Sequence, residues 1–273
     1  MPLLLTVIVI VFMNNSKCSI NLFLNVIILS FTLLIILASS STNLLYSQAQ
    51  PIANNITKDN QKFMFDSESK PYGMPNAEWT SKWWQWAYSI PQTTNPAYDD
   101  TGKYCSEGQS GPVWFLTSSY KHPVDRFCSI PSGKAILLTI LNSECSFAEF
   151  PNLKTENQLR QCAKQMQDSV VSLQASINGT NISGLEKFRI QSPLFNFTLP
   201  TNNILGLPPQ TTTAVSDGNW IFLKPLPIGN YILSFKGGLK NISSNIENKT
   251  NDFSFAGPYG WDNKVNYHIH IVK

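Results

Sequence analysis

Residues 219–237, NWIFLKPLPIGNYILSFKG, hold two short apolar and aromatic segments separated by a turn rich in proline and glycine. Trp220 to Leu223 and Tyr231 to Phe235 therefore read as strands, and Pro225 to Gly229 as the turn of a hairpin joining them. The same strand character runs through FRIQSPLFNFTLP (188–200) and KVNYHIHIVK (264–273). Val113 to Leu116 reads as an earlier strand. Ala135 to Leu141 is apolar almost without a break, which predicts a central strand covered on both faces, with a helix on its outer side. Strands spaced this way between Gly and Pro turns predict a mainly β fold. The expected architecture is an antiparallel β-sandwich, jelly-roll or immunoglobulin-like, with two accessory α-helices. The chain has no internal repeat, which excludes a propeller or a solenoid.

Two segments carry the helical period instead. In AEWTSKWWQWAYSI (77–90), Trp79, Trp83, Trp86 and Ile90 fall on one helical face, Asn76 is placed to cap the start and Pro91 to stop the end. Thr155-Glu156-Asn157-Gln158 has the form of a capping box. From it Leu159, Cys162, Ala163, Met166, Val170 and Leu173 recur at helical spacing, predicting a helix that continues to Asn178-Gly179.

Residues 20–38, INLFLNVIILSFTLLIILA, form an uncharged apolar run after Lys17 and ahead of a small polar stretch, the layout of a secretory signal. Ser47-Gln48-Ala49 offers a small-x-small cleavage site. The run is also close to the length that spans a bilayer, so an uncleaved signal anchor is the competing reading. Residues 1–49 are therefore read as signal peptide or anchor, 50–75 as a linker and 76–273 as one extracellular domain. A start at Met13 would give the signal an ordinary short n-region. The 20 basic and 17 acidic residues, net +3, are scattered without runs, which excludes the basic stripe a nucleic-acid backbone demands. Membrane contact is expected only through the N-terminal segment.

Outside that segment lie Cys105, Cys128, Cys145 and Cys162, an even number without a C-x-x-C pair. Structural disulfides in an exported protein fit this pattern better than zinc or redox chemistry. Three connectivities are open. Cys105 with Cys128 and Cys145 with Cys162 is the expected pairing, because each closes a short local loop. Asn55, Asn178, Asn181, Asn196, Asn241 and Asn248 begin N-x-[ST] sequons and are candidate glycosylation sites.

Catalytic signatures are sparse. There is no H-E-x-x-H, G-x-S-x-G, Walker loop, dinucleotide fingerprint or EF-hand loop. His268 and His270 share one face of the last strand, since residues i and i+2 point the same way. With His122, or with Asp125, Glu144 or Glu149, they would make a three-ligand metal site with an open position for water. Plain alternation, with Tyr267, Ile269 and Ile271 inward, accounts for the same pattern. Trp84 and Tyr88 lie beside the helical stripe and would suit an aromatic platform for a sugar, or would cover the seam between helix and sheet. Asp99 and Asp100 would serve calcium or set the turn before Thr101-Gly102. Glu107, Arg126, Glu144 and Glu149 lie near the cysteines and are expected to line one surface.

The runs WWQWAYSIP (83–91), NPAYDDTGKYCSEGQSGPVWFL (95–116), RFCSIPSGKAILLTILNSEC (126–145) and DGNWIFLKPLPIGNYILSFKG (217–237) resemble a family of secreted archaeal and bacterial proteins without an assigned activity. The resemblance covers nearly all of residues 76–273. It implies export and a single domain, and it lends no catalytic residue and no cofactor. The expected function is non-catalytic binding at the cell surface, to a glycan or a cell-surface protein. The alternatives are a metal-dependent hydrolase using His268 and His270, and a carbohydrate-binding module using Trp84 and Tyr88.

Overall fold

Ten strands and two α-helices form within the residues described by the computed structural model, 63–119, 123–240 and 262–273, all in one compact unit, Thr57–Lys273. The apolar run 20–38, His122 and the sequons at Asn55, Asn241 and Asn248 lie outside them. No helix among the described residues is long and apolar enough to cross a membrane.

The strands are β1 (Val113–Leu116), β2 (Val124–Pro131), β3 (Ala135–Ser146), β4 (Val170–Ile177), β5 (Thr180–Asn181), β6 (Arg189–Gln191), β7 (Phe195–Leu199), β8 (Gln210–Leu223), β9 (Gly229–Leu239) and β10 (Asp262–Val272). They form two five-stranded sheets. The first has the order β1-β3-β8-β6, with β7 also on β8. The second has the order β2-β10-β9-β4-β5. Both are mixed rather than antiparallel, because β1 runs parallel to β3 and β2 runs parallel to β10.

A shared apolar cluster takes Leu116, Ile136, Leu138, Ile221 and Leu223 from the first sheet and Ile130, Leu233, Phe235, Val265 and Ile269 from the second. Each fully buried large side chain of this kind contributes about 1.5–3 kcal/mol. β3 is the central strand its composition predicts. Its other face meets helix α1 (Asn76–Ser89), whose Trp79, Trp83, Trp84 and Tyr88 pack in one cluster with Leu137, Phe197, Trp220 and Phe222. Helix α2 (Glu156–Gln167) covers the far end of β3 and β8 through Leu159 and Ala163, which pack against Cys145 and Val215.

Four local expectations are corrected. Residues 63–75 are not a free linker: Met64 is buried and bridges Leu223, and Phe65 N–H donates to Phe222 O. Asn76 does not cap α1, which Pro75 precedes as N-cap; its amide instead donates to the carbonyls of Asp66 and Ser67, fixing that entering segment. Helix α2 has the capping box but ends at Gln167. Val170 and Leu173 belong to β4, where pairing with β9 and burial of Ala175 and Ile177 outweigh a helical period that runs on by coincidence. Finally, Pro225 to Gly229 is not a hairpin turn. Trp220 to Leu223 lies in the first sheet and Tyr231 to Phe235 in the second, so this turn carries the chain across the core with Leu226 buried beneath it.

Candidate functional site on the outer face of the second sheet

β10 alternates as its sequence predicts. Val265, Tyr267, Ile269 and Ile271 point into the core, which leaves Asn266, His268 and His270 on the outer face. Register then decides their neighbours. His268 stands opposite Phe127 of β2 on one side and Ile232 of β9 on the other, and His270 stands between Ser129 and Asn230.

The Phe127–His268–Ile232 row crosses three strands. The Phe127 ring stacks on the His268 imidazole, 4.6 Å between centroids and 14° between planes, yet Phe127 remains 65% exposed and Ile232 46%. A water-exposed phenylalanine beside an exposed isoleucine is apolar surface left unburied, which marks a contact surface more often than a single exposed residue does. A shallow depression of about 850 Å³ lies over this row, lined also by Ser129, Asn178, Asn230 and His270. Asn178 holds its rim in a left-handed conformation (φ 49°). Its Oδ1 accepts from Ile232 N–H at 2.8 Å while its own N–H donates to Ile232 O.

His268 Nε2 lies 3.3 Å from Asp125 Oδ1, and Asn266 donates to the same oxygen. These hydrogen bonds, Asn266 first and His268 second, hold the Asp125 carboxyl below its usual value. Among the described residues no group of three or more His, Cys, Asp or Glu side chains is arranged to hold a metal ion. Glu144 and Glu149 do not reach His268 and His270: they lie on and just beyond β3, in the other sheet.

Trp84 and Tyr88, expected as a platform, are 1% and 0% exposed. Trp84 packs edge-on to Trp83, and Tyr88 packs against Phe197 and donates to Glu144 Oε2 at 2.9 Å. They seal the seam between α1 and the first sheet, and no ligand reaches them. Arg126 is likewise interior. It donates to the carbonyls of Ala97, Asp99, Thr117 and Ser118 and to the Tyr267 hydroxyl, pinning two loops to the core. The expected surface of Glu107, Arg126, Glu144 and Glu149 therefore does not exist as one surface.

Two carboxyls do converge. Glu144 is buried beneath Tyr88, with Glu149 within hydrogen-bonding reach and Ser146 bonded to Glu149 at 2.6 Å. Burial pushes the Glu144 carboxyl well above the usual range, and the Glu149 charge pushes it the same way. Glu144 lies inside and Glu149 is half-buried, and the burial of Glu144 bars the substrate access that an acid–base pair needs.

The disulfides are Cys105–Cys128 and Cys145–Cys162. The first ties the 99–105 loop along the free edge of β2, where Thr101 O accepts from Phe127 N–H. Asp99 sets that loop, accepting from Thr101 and Tyr104. Although burial works against it, the N–H groups of Tyr104 and Thr101 keep its carboxyl below its usual value. Gly102 (φ 86°) passes so close to the β2 backbone that a Cβ would lie 2.3 Å from Phe127 O. Gln109 closes the free edge of β1 in the same spirit, its amide accepting from Phe115 N–H and donating to Phe115 O. Asn95 donates to the carbonyls of Ala87 and Ile90 at the end of α1. The distinctive residues of 83–116 are thus explained by scaffold geometry.

No family model, curated protein or solved structure matches this chain. The site consequently rests on its own geometry. Sequence reasoning found His268 and His270 but missed Phe127 and Ile232, whose importance comes from cross-strand register.

Proposed function

We propose that this chain is an exported, disulfide-stabilised binding module of the cell surface, akin to the secreted family it resembles, with the outer face of the second sheet as its ligand face. The single observation that carries the reading is the exposed Phe127–His268–Ile232 row over its depression. The two disulfides support an oxidising compartment, where such bonds persist. Two sheets around one shared apolar layer support a sandwich architecture. Its parallel edge pairs are features that neither a jelly roll nor an immunoglobulin domain requires.

The reading is tested with the exported form recovered from producing cells, sedimented with cell envelopes from the same cells. Wild type co-sediments, and Phe127→Ala leaves the pellet while keeping the wild-type melting temperature, because an exposed ring contributes little to the core. Equal co-sedimentation of the two proteins would overturn the assignment of this face.

A further inference from the structure

Resting on that ligand face, we infer that its ligand is an uncharged carbohydrate chain. The first argument is charge. Among the described residues lining the depression there is no lysine, arginine, aspartate or glutamate; the polar groups are the amides of Asn178 and Asn230, the Ser129 hydroxyl and the two imidazoles. An anionic polymer finds no lysine or arginine in the lining, and the carboxylate beside it, Asp125, is engaged by His268 and Asn266.

The second argument is the backbone. A peptide commonly binds a sheet by adding a strand to a free edge. The floor of this depression is β10 and β9, with Phe127 and Ser129 on the outer strand β2, whose N–H at Phe127 is already taken by Thr101 O. β10 is paired on both sides, with β2 and β9, and β9 is paired with β10 and β4; beyond β4 the Asn178 turn takes up both Ile232 main-chain groups. Around the Phe127–His268–Ile232 row the strands therefore offer a ligand mainly side chains.

What remains is a hydrophobic platform with neutral donors and acceptors around it. This matches a pyranose, which presents a face of C–H groups to an aromatic ring and hydroxyls at its equator to amides and imidazoles. Phe127 supplies the platform, His268 props it upright from one side, and Asn230 and His270 flank the next cross-strand position. The depression is open and shallow, which suits a length of polysaccharide lying across the sheet rather than a small molecule enclosed by it.

The experiment measures binding of the exported form to an array of neutral and acidic oligosaccharides, at low and high salt, with Phe127→Ala, Phe127→Tyr and Asn230→Ala beside wild type. The expected result is binding to a subset of neutral glycans that salt does not weaken. Phe127→Ala lowers it about tenfold, the scale of one aromatic contact. Phe127→Tyr retains it, and all variants melt as wild type does. Binding only to acidic glycans with strong salt dependence would overturn the class. Loss of envelope binding in Phe127→Ala without any binding to the array would overturn the carbohydrate inference and leave the ligand face standing. Glycan binding unaffected by Phe127→Ala would overturn both.

Discussion

Glu144 shows how a single polar residue is tolerated in the interior. It is 1% exposed, its Oε2 accepts from the Tyr88 hydroxyl, and burial beside the Glu149 carboxyl favours its protonated form. Its folded-state pKa lies well above the ordinary 4.5, so the folded protein holds a proton that the unfolded chain releases. The stability this group contributes is fully present below about pH 4.5. It is lost as pH rises from there through the raised folded value, at up to ~1.4 kcal/mol per pH unit. Glu144→Gln keeps the shape and an acceptor for the Tyr88 hydroxyl without the titrating proton. Denaturant titrations are expected to give a variant more stable than wild type at pH 7 and no such advantage at pH 4. A variant less stable at both would mean that Glu144 is ionised in the fold. The sequence offers Glu144 and Glu149 only as two acids five residues apart, because the burial of Glu144 comes from Tyr88 of α1 laid over it.

Among the elements, α2 was half legible. Its capping box is local chemistry: Thr155 and Gln158 satisfy each other's orphan groups, and four residues suffice to specify that. Its end was not legible, since Val170 and Leu173 continue the helical period and only pairing with β9, with a register shift between Val170 and Ser172, makes them strand. The Cys145–Cys162 bond then ties α2 to β3 across a separation of 17 residues. Replacing both cysteines by serine is expected to cost about 3 kcal/mol, the chain-entropy value for a loop near that length. The readout is the shift in urea midpoint against oxidised wild type. An unchanged midpoint would show that the packing of Leu159 and Ala163 alone holds the helix in place.

At the scale of the whole molecule, the two sheets meet closely enough to dictate residue size. β9 crosses β3 at Gly237, where an added Cβ would lie 2.5 Å from Leu141 Cγ. Gly237→Ala therefore forces the layers apart or Leu141 out of its rotamer, and is expected to lower stability by about 1–3 kcal/mol in thermal or denaturant melts. A neutral substitution there would mean that the layers slide freely.

The sequence by itself determined the mainly β character, the central strand β3, the presence of both helices and the capped start of α2, and the inward and outward sides of β10; it favoured the cysteine pairing that closes the shorter loops without deciding it. All of these depend on period, capping or proximity along the chain. Only the tertiary structure decided that Pro225 to Gly229 crosses between sheets, that Trp84, Tyr88 and Arg126 are interior, and that Phe127 and Ile232 flank His268. Phe127 lies 141 positions from His268 in the sequence, and the parallel register of β2 with β10 makes them neighbours. Register and layer packing are set by contacts between distant segments, and no local pattern encodes which distant segment will arrive.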